Sequence, residues 1–129
     1  MSISFEITVL IPAAPEAVYA GWLDSETHSE MTGSPTEITD EAVTPFSAGD
    51  GYIQGVNLEL EPSKRILQRW RTTDFSPEDE DSMLEILFDV VEEGTRMTIK
   101  HWNLPADGMQ YKEGWKTWYI TPMQAYFSR

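Results

Sequence analysis

The chain has 129 residues, with 22 acidic against 9 basic side chains and a formal net charge of -13. That balance argues strongly against nucleic acid as a partner, because phosphate binding needs a basic surface, and it argues equally against an anionic membrane. There is no cysteine, so disulfide and thiol chemistry are absent and a reducing, cytoplasmic location is the expectation.

A chain of this length predicts one domain, residues 1–129, with a core that needs no staples. Ile3, Phe5, Ile7, Val9 and Ile11 alternate with Ser4, Glu6 and Thr8, the pattern of a half-buried strand. This start has no basic segment before an apolar run, so no signal peptide is expected. No apolar run approaches the ~20 residues of a membrane span. Pro12 and Pro15 close the strand, and Pro15 suits the first turn of a helix. Glu16 to Leu23 fits that helix, with Val18, Tyr19, Trp22 and Leu23 as its apolar contacts. Asp24 or Ser25 would cap a second short helix, Glu26 to Met31, and Gly33-Ser34-Pro35 ends the pair.

From Thr36 the rhythm is strand and turn. Thr36 to Thr39 and Ala42 to Ser47 are short, weakly patterned strands, and Gly49-Asp50-Gly51 is a hairpin signal. Longer strands follow at Tyr52 to Glu61, Arg65 to Thr73, Ser82 to Val91 and Thr95 to Trp102. Strict alternation groups Asn57 with Ile53 and Gly55, opposite Leu58 and Leu60; a bulge would let both sets face inward. The last stretch, Tyr111 to Arg129, carries Trp115, Trp118, Tyr119, Met123, Tyr126 and Phe127 at helical spacing. Pro122 lies inside it and cannot donate to the Trp118 carbonyl, which predicts a kink. One strand, two short helices, a meander and a long helix make an antiparallel sheet covered by that helix.

Pro45 to Arg71 contains Asp50-Gly51, then Gly55, Leu60-Glu61-Pro62, Ile66 and Trp70-Arg71. The tail adds Gly114-Trp115, Tyr119, Met123 and Phe127. In this order and spacing, the chain resembles the family of activators of the heat-shock protein 90 ATPase and their bacterial homologues, from Phe5 to Phe127. The resemblance implies the helix-grip fold of the START-like, or SRPBCC, superfamily. That is an α+β fold with a curved antiparallel sheet of about six or seven strands wrapped on a long C-terminal helix, and a cavity beneath the helix. Other members of that superfamily bind hydrophobic ligands, and some are enzymes. No catalytic motif carries over to residues of this chain.

The aromatic stripe is core or, in part, cavity wall. Gln68, between Ile66 and Trp70, and His101, following Met97 and Ile99, sit on faces that otherwise read as core. Each must find a hydrogen-bond partner, or be free to orient a ligand. With two histidines, His28 and His101, and no short ligand spacing, neither a metal nor another cofactor is expected. An acid–base pair of His101 with Glu30 or Glu37 is the arrangement left open to an enzyme. Glu78 to Asp81 reads as a solvated acidic turn or as a docking patch for a basic partner.

The leading expectation is non-enzymatic binding of an apolar small molecule between helix and sheet. Its walls would come from Trp22, Phe46, Gln68, Trp70, His101, Trp115, Trp118 and Met123. A co-chaperone touching a heat-shock protein 90 type chaperone through its surface is the second reading. A cyclase or hydrolase using the same cavity is the third. The sequence carries no signal of oligomeric state.

Overall fold

A computed structural model describes residues 2–129. Strand β1 (Ile3–Ile11) is followed by helices α1 (Pro15–Leu23) and α2 (Ser25–Thr32). Five strands come next: β2 (Thr44–Ala48), β3 (Ile53–Glu61), β4 (Arg65–Thr72), β5 (Ser82–Val91) and β6 (Gly94–Leu104). The chain ends in a helical rod made of α3 (Gln110–Trp115), a π-helical turn (Lys116–Ile120) and α4 (Thr121–Phe127).

The sheet is six-stranded and antiparallel, in the order β1-β6-β5-β4-β3-β2. Consecutive strands β2 to β6 pair with one another because short turns join them, whereas α1 and α2 carry the chain from β1 to the far edge. Thr36 to Thr39 does not form the expected strand. Only an isolated bridge, Glu37 to Ser47, forms there. A Pro-flanked segment with no alternating apolar face has little to bury by pairing further.

Local signals act where the residues predict. The Asp24 carboxylate accepts the Thr27 backbone N–H at 2.9 Å and caps α2. That bond, with a second from the Thr27 hydroxyl, holds the carboxyl below its ordinary range. Gly33 ends α2 in the left-handed region (φ 76°), donating its N–H to the Ser29 carbonyl. On β3 the register shifts between Asn57 and Glu59, a bulge that turns both Asn57 and Leu60 toward the core. Two residues earlier, the ring of Phe46 lies over Gly55. A Cβ at Gly55 would come within 2.7 Å of that ring and would collide with the Arg69 carbonyl oxygen.

The inner face of the sheet runs through Ile66, Trp70, Leu84, Ile86, Phe88, Met97 and Ile99, all buried. The C-terminal rod covers it with Trp115, Tyr119 and Met123. Just before Pro122, where a kink is expected, the rod widens by a turn: the Thr121 N–H reaches back to the Lys116 carbonyl. A wider turn keeps residues four apart near one face and swings those three apart away from it. Trp115, Tyr119 and Met123 therefore stay buried, and Trp118 leaves the stripe, 65% exposed.

Candidate functional site: an aromatic cleft

A cleft of about 400 Å³ opens between the C-terminal rod, the end of α2 and the β2–β3 turn. Its lining comes from Thr32 at the end of α2 and Ser34 beyond it, Gly49, Tyr52 and Ile53 at the turn, Trp70 on β4, and Tyr111, Gly114, Trp115, Trp118 and Tyr119 on the rod. Gly114 makes the notch. A Cβ there would touch nothing nearer than Cδ1 of Trp118, at 3.9 Å.

The walls are held from behind. Trp115 donates its indole N–H to Nδ1 of His101 at 3.1 Å. With Nδ1 accepting, Nε2 carries the proton and donates to the Ser82 hydroxyl at 2.8 Å, which donates to the Trp70 carbonyl at 2.7 Å. This chain starts on one cleft wall and ends on the backbone of another, and every donor in it finds an acceptor. Burial keeps His101 neutral by lowering its pKa to about 3. Trp115 stacks on Trp22 behind it, with centroids 5.8 Å apart and planes 18° apart. Trp70 meets Tyr111 edge-on at 5.1 Å, and the Tyr111 and Thr72 hydroxyls bond at 2.6 Å.

Tyr52, at the rim, donates its hydroxyl to Asp74 at 2.6 Å. Burial first, and then that carboxylate, raise its pKa. Burial raises that of Tyr119 as well, and the Tyr119 hydroxyl bonds no group among the described residues. Both phenols stay neutral at physiological pH.

Of the wall residues expected from sequence, Trp70, Trp115 and Trp118 line this cleft. Trp22, Phe46, Gln68, His101 and Met123 do not; all five are buried behind it. His101 is consumed by its hydrogen bonds to Ser82 and Trp115, not to Glu30 or Glu37. Gln68 donates to the Asn57 side chain at 2.7 Å, and Asn57 donates onward to the Thr39 carbonyl at 2.9 Å. Phe46 packs on Gly55, and Met123 fills the core.

Sequence reasoning missed Tyr52, Ile53, Tyr111, Tyr119 and Gly114 as lining, together with Thr32, Ser34 and Gly49. Tyr111 had a signal, because it stands one turn before Trp115 on the same face. Tyr52 had none, because only the folded hairpin brings it to the rod.

Deeper in, His28 donates Nδ1–H to the Trp22 carbonyl at 2.7 Å, and burial lowers its pKa to about 4. Its Nε2, an acceptor, and the indole N–H of Trp22, a donor, both lack a partner among the described residues. Their rings lie 4.6 Å apart.

The acidic turn is tied to a base. Arg71 reaches Asp81 at 2.9 Å and the Asp79 and Ser76 carbonyls at 3.1 Å each. Among the described residues, no three His, Asp or Glu side chains gather as a metal site. Among the described residues, no helix is long and apolar enough to cross a membrane.

This architecture has known counterparts. The structure of PFC0360w, an Hsp90 activator from Plasmodium falciparum, superposes with a TM-score of 0.88 at 26% identity, covering 98% of this chain and 96% of that one. CV1439 from Chromobacterium violaceum gives a TM-score of 0.78 at 20% identity, covering 98% of each chain. MLL2253 from Mesorhizobium loti gives 0.79 at 15%, covering 95% of each. These last two share the fold alone. No curated protein matches the sequence. The model of one family, described as Activator of Hsp90 ATPase homolog 1-like protein, matches residues 12–128. With a six-stranded curved sheet gripping a C-terminal rod and a match across nearly its whole length, the chain belongs to the Activator of Hsp90 ATPase homolog 1-like family, on the helix-grip fold of the START-like superfamily.

Proposed function

We propose that the protein binds an apolar, ring-bearing small molecule in the cleft beneath the C-terminal rod and does no chemistry on it. The observation that carries this reading is the lining itself, in which six of the side chains are aromatic: Tyr52, Trp70, Tyr111, Trp115, Trp118 and Tyr119. A volume of about 400 Å³ falls within the range of small-molecule sites. Two histidines pack against the walls, His101 on Trp115 and His28 edge-on to Tyr119 at 5.7 Å. Burial keeps both neutral, and both ring nitrogens of His101 are bonded, which favours binding over acid–base catalysis.

Thermal shift against a panel of lipids and aromatic compounds tests the reading, with Gly114→Leu run beside the native protein. The leucine would project into the notch and fill it without disturbing the backbone. A ligand at 100 times its Kd stabilises by about 2.7 kcal/mol. Compounds that raise the native Tm should leave that of Gly114→Leu unmoved. An equal shift in both proteins, or no shift from any compound, would overturn the reading.

A second reading has its own support. PFC0360w is described as an Hsp90 activator and resembles this chain over nearly all of both lengths. A net charge of -13 suits steering toward a basic surface. Pull-down with an Hsp90-type chaperone at low and high salt tests it. Capture that weakens as salt rises supports a charge-steered complex, and no capture at low salt removes the idea.

A further inference from the structure

Resting on the cleft as a ligand site, we propose that its occupant is an organic cation, with a fully alkylated ammonium group carried on an apolar body. Among the described residues, no Lys, Arg, His, Asp or Glu lines the cleft. An anionic amphiphile such as a fatty acid would therefore find no counter-charge there. The polar hydrogens of two walls are already committed, Tyr52 to Asp74 and Trp115 to His101. The bases next in sequence to wall residues, Arg69, Arg71, Lys112 and Lys116, do not line the cleft; Arg71 pairs with Asp81 at 2.9 Å and Lys116 lies 4.0 Å from Glu113.

What the cleft offers is ring faces. The negative face of an indole or phenol attracts a cation placed within about 6 Å of its centroid, and indole does so best. Three of the six rings are tryptophan. Trp118, at the mouth, leaves most of its surface open. The Asp74 carboxylate behind Tyr52 puts a negative charge beside the rim, and the phenol donating to it becomes richer in electrons. A chain of net charge -13 raises the local concentration of cations further. An alkylated ammonium loses less hydration on entry than a bare one, and it needs no acceptor in a wall that supplies few. A neutral ligand would gain the apolar contacts alone.

Titration calorimetry at high salt, where long-range charge steering is screened, separates these cases. The probes are matched in shape: benzyltrimethylammonium, its uncharged isostere neopentylbenzene, and the anion benzylsulfonate. The expected order is cation tighter than neutral by roughly tenfold, with the anion weakest. Gly114→Leu should abolish the cation's binding. Trp118→Leu, which keeps an apolar side chain and loses the ring, should weaken the cation by several-fold and leave neopentylbenzene nearly unchanged.

Neopentylbenzene binding as tightly as the cation, and lost in Gly114→Leu, would overturn the cation proposal while sustaining the cleft as an apolar site. Benzylsulfonate binding tightest would do the same. Cation binding that survives Gly114→Leu would place it elsewhere on the acidic surface and overturn the proposal. Binding by none of the three overturns it as well, and the lipid and aromatic panel then decides the cleft separately.

Discussion

His28 and His101 are the two residues through which acid reaches the core. Burial lowers their pKa values to about 4 and about 3 in the folded chain, whereas an unfolded histidine titrates near 6.5. Below that value the unfolded state takes up protons that the folded state refuses. Their contribution is therefore complete above about pH 6.5 and declines as pH falls toward the folded values, by roughly tenfold in the folding equilibrium per pH unit for each histidine. Urea midpoints measured from neutral pH down to about 4 should fall, and His28→Gln should flatten part of that slope. An unchanged slope in the variant would assign the loss to His101 and the carboxylates instead. The inward side of His101 was legible in the alternation of Met97, Ile99 and His101. Its partners were not, because Ser82 arrives from β5 and Trp115 from the rod, and no local pattern ties either one to β6.

At the scale of elements, two glycines with the same side chain do opposite work. Gly55 sits where β3 passes under the Phe46 ring and against the Arg69 carbonyl, so Gly55→Ala forces backbone apart and should cost about 3 kcal/mol. Gly114 sits in α3 with open space beside it, so Gly114→Ala should stabilise by about 1 kcal/mol through helix propensity alone. Chemical denaturation of both variants checks the opposite signs; a loss at Gly114 would mean that the notch is narrower than it stands. Strand and helix positions were readable because alternation and helical spacing are local signals. The widened turn from Lys116 to Ile120 was not. A missing donor at Pro122 predicts a broken ladder, but whether the helix also absorbs an extra residue depends on packing against β1 and α2. That choice moved Trp118 from the core to the cleft mouth.

Across the whole molecule, excess negative charge works against compactness. Arg65 gathers Glu85 at 2.5 Å, Glu59 at 2.9 Å and Glu61 at 3.5 Å, and bonding to Glu85 and then Glu59 raises its pKa. One base cannot answer a net charge of -13, and the remaining carboxylates repel one another across the surface. Sodium chloride should therefore raise the urea midpoint over the range in which it screens. A midpoint that falls with salt would show that ion pairs such as those of Arg65 outweigh the repulsion. The sheet, the cover helix and their contact were legible in the sequence at this scale. The cleft was not, because it is the space left where the β2–β3 hairpin, the end of α2 and the rod fail to close on one another. A gap among three distant segments has no signature in any one of them.

The stack of Trp115 on Trp22 extends to Trp70 and has an optical consequence. Trp22, Trp115 and Trp70 lie with neighbouring planes 18° and 26° apart, spanning α1, α3 and β4. Chromophores held at fixed angles give near-ultraviolet circular dichroism that a loosened core averages away. Trp118, and less fully Trp102 on β6, stand outside the row and open to water, where an indole emits at longer wavelength than a buried one, so a Trp102→Phe background isolates the signal of Trp118. The molecule thus carries two native reporters in different spectral observables. One registers whether the rod is seated on the sheet, and the other whether the mouth of the cleft is wet.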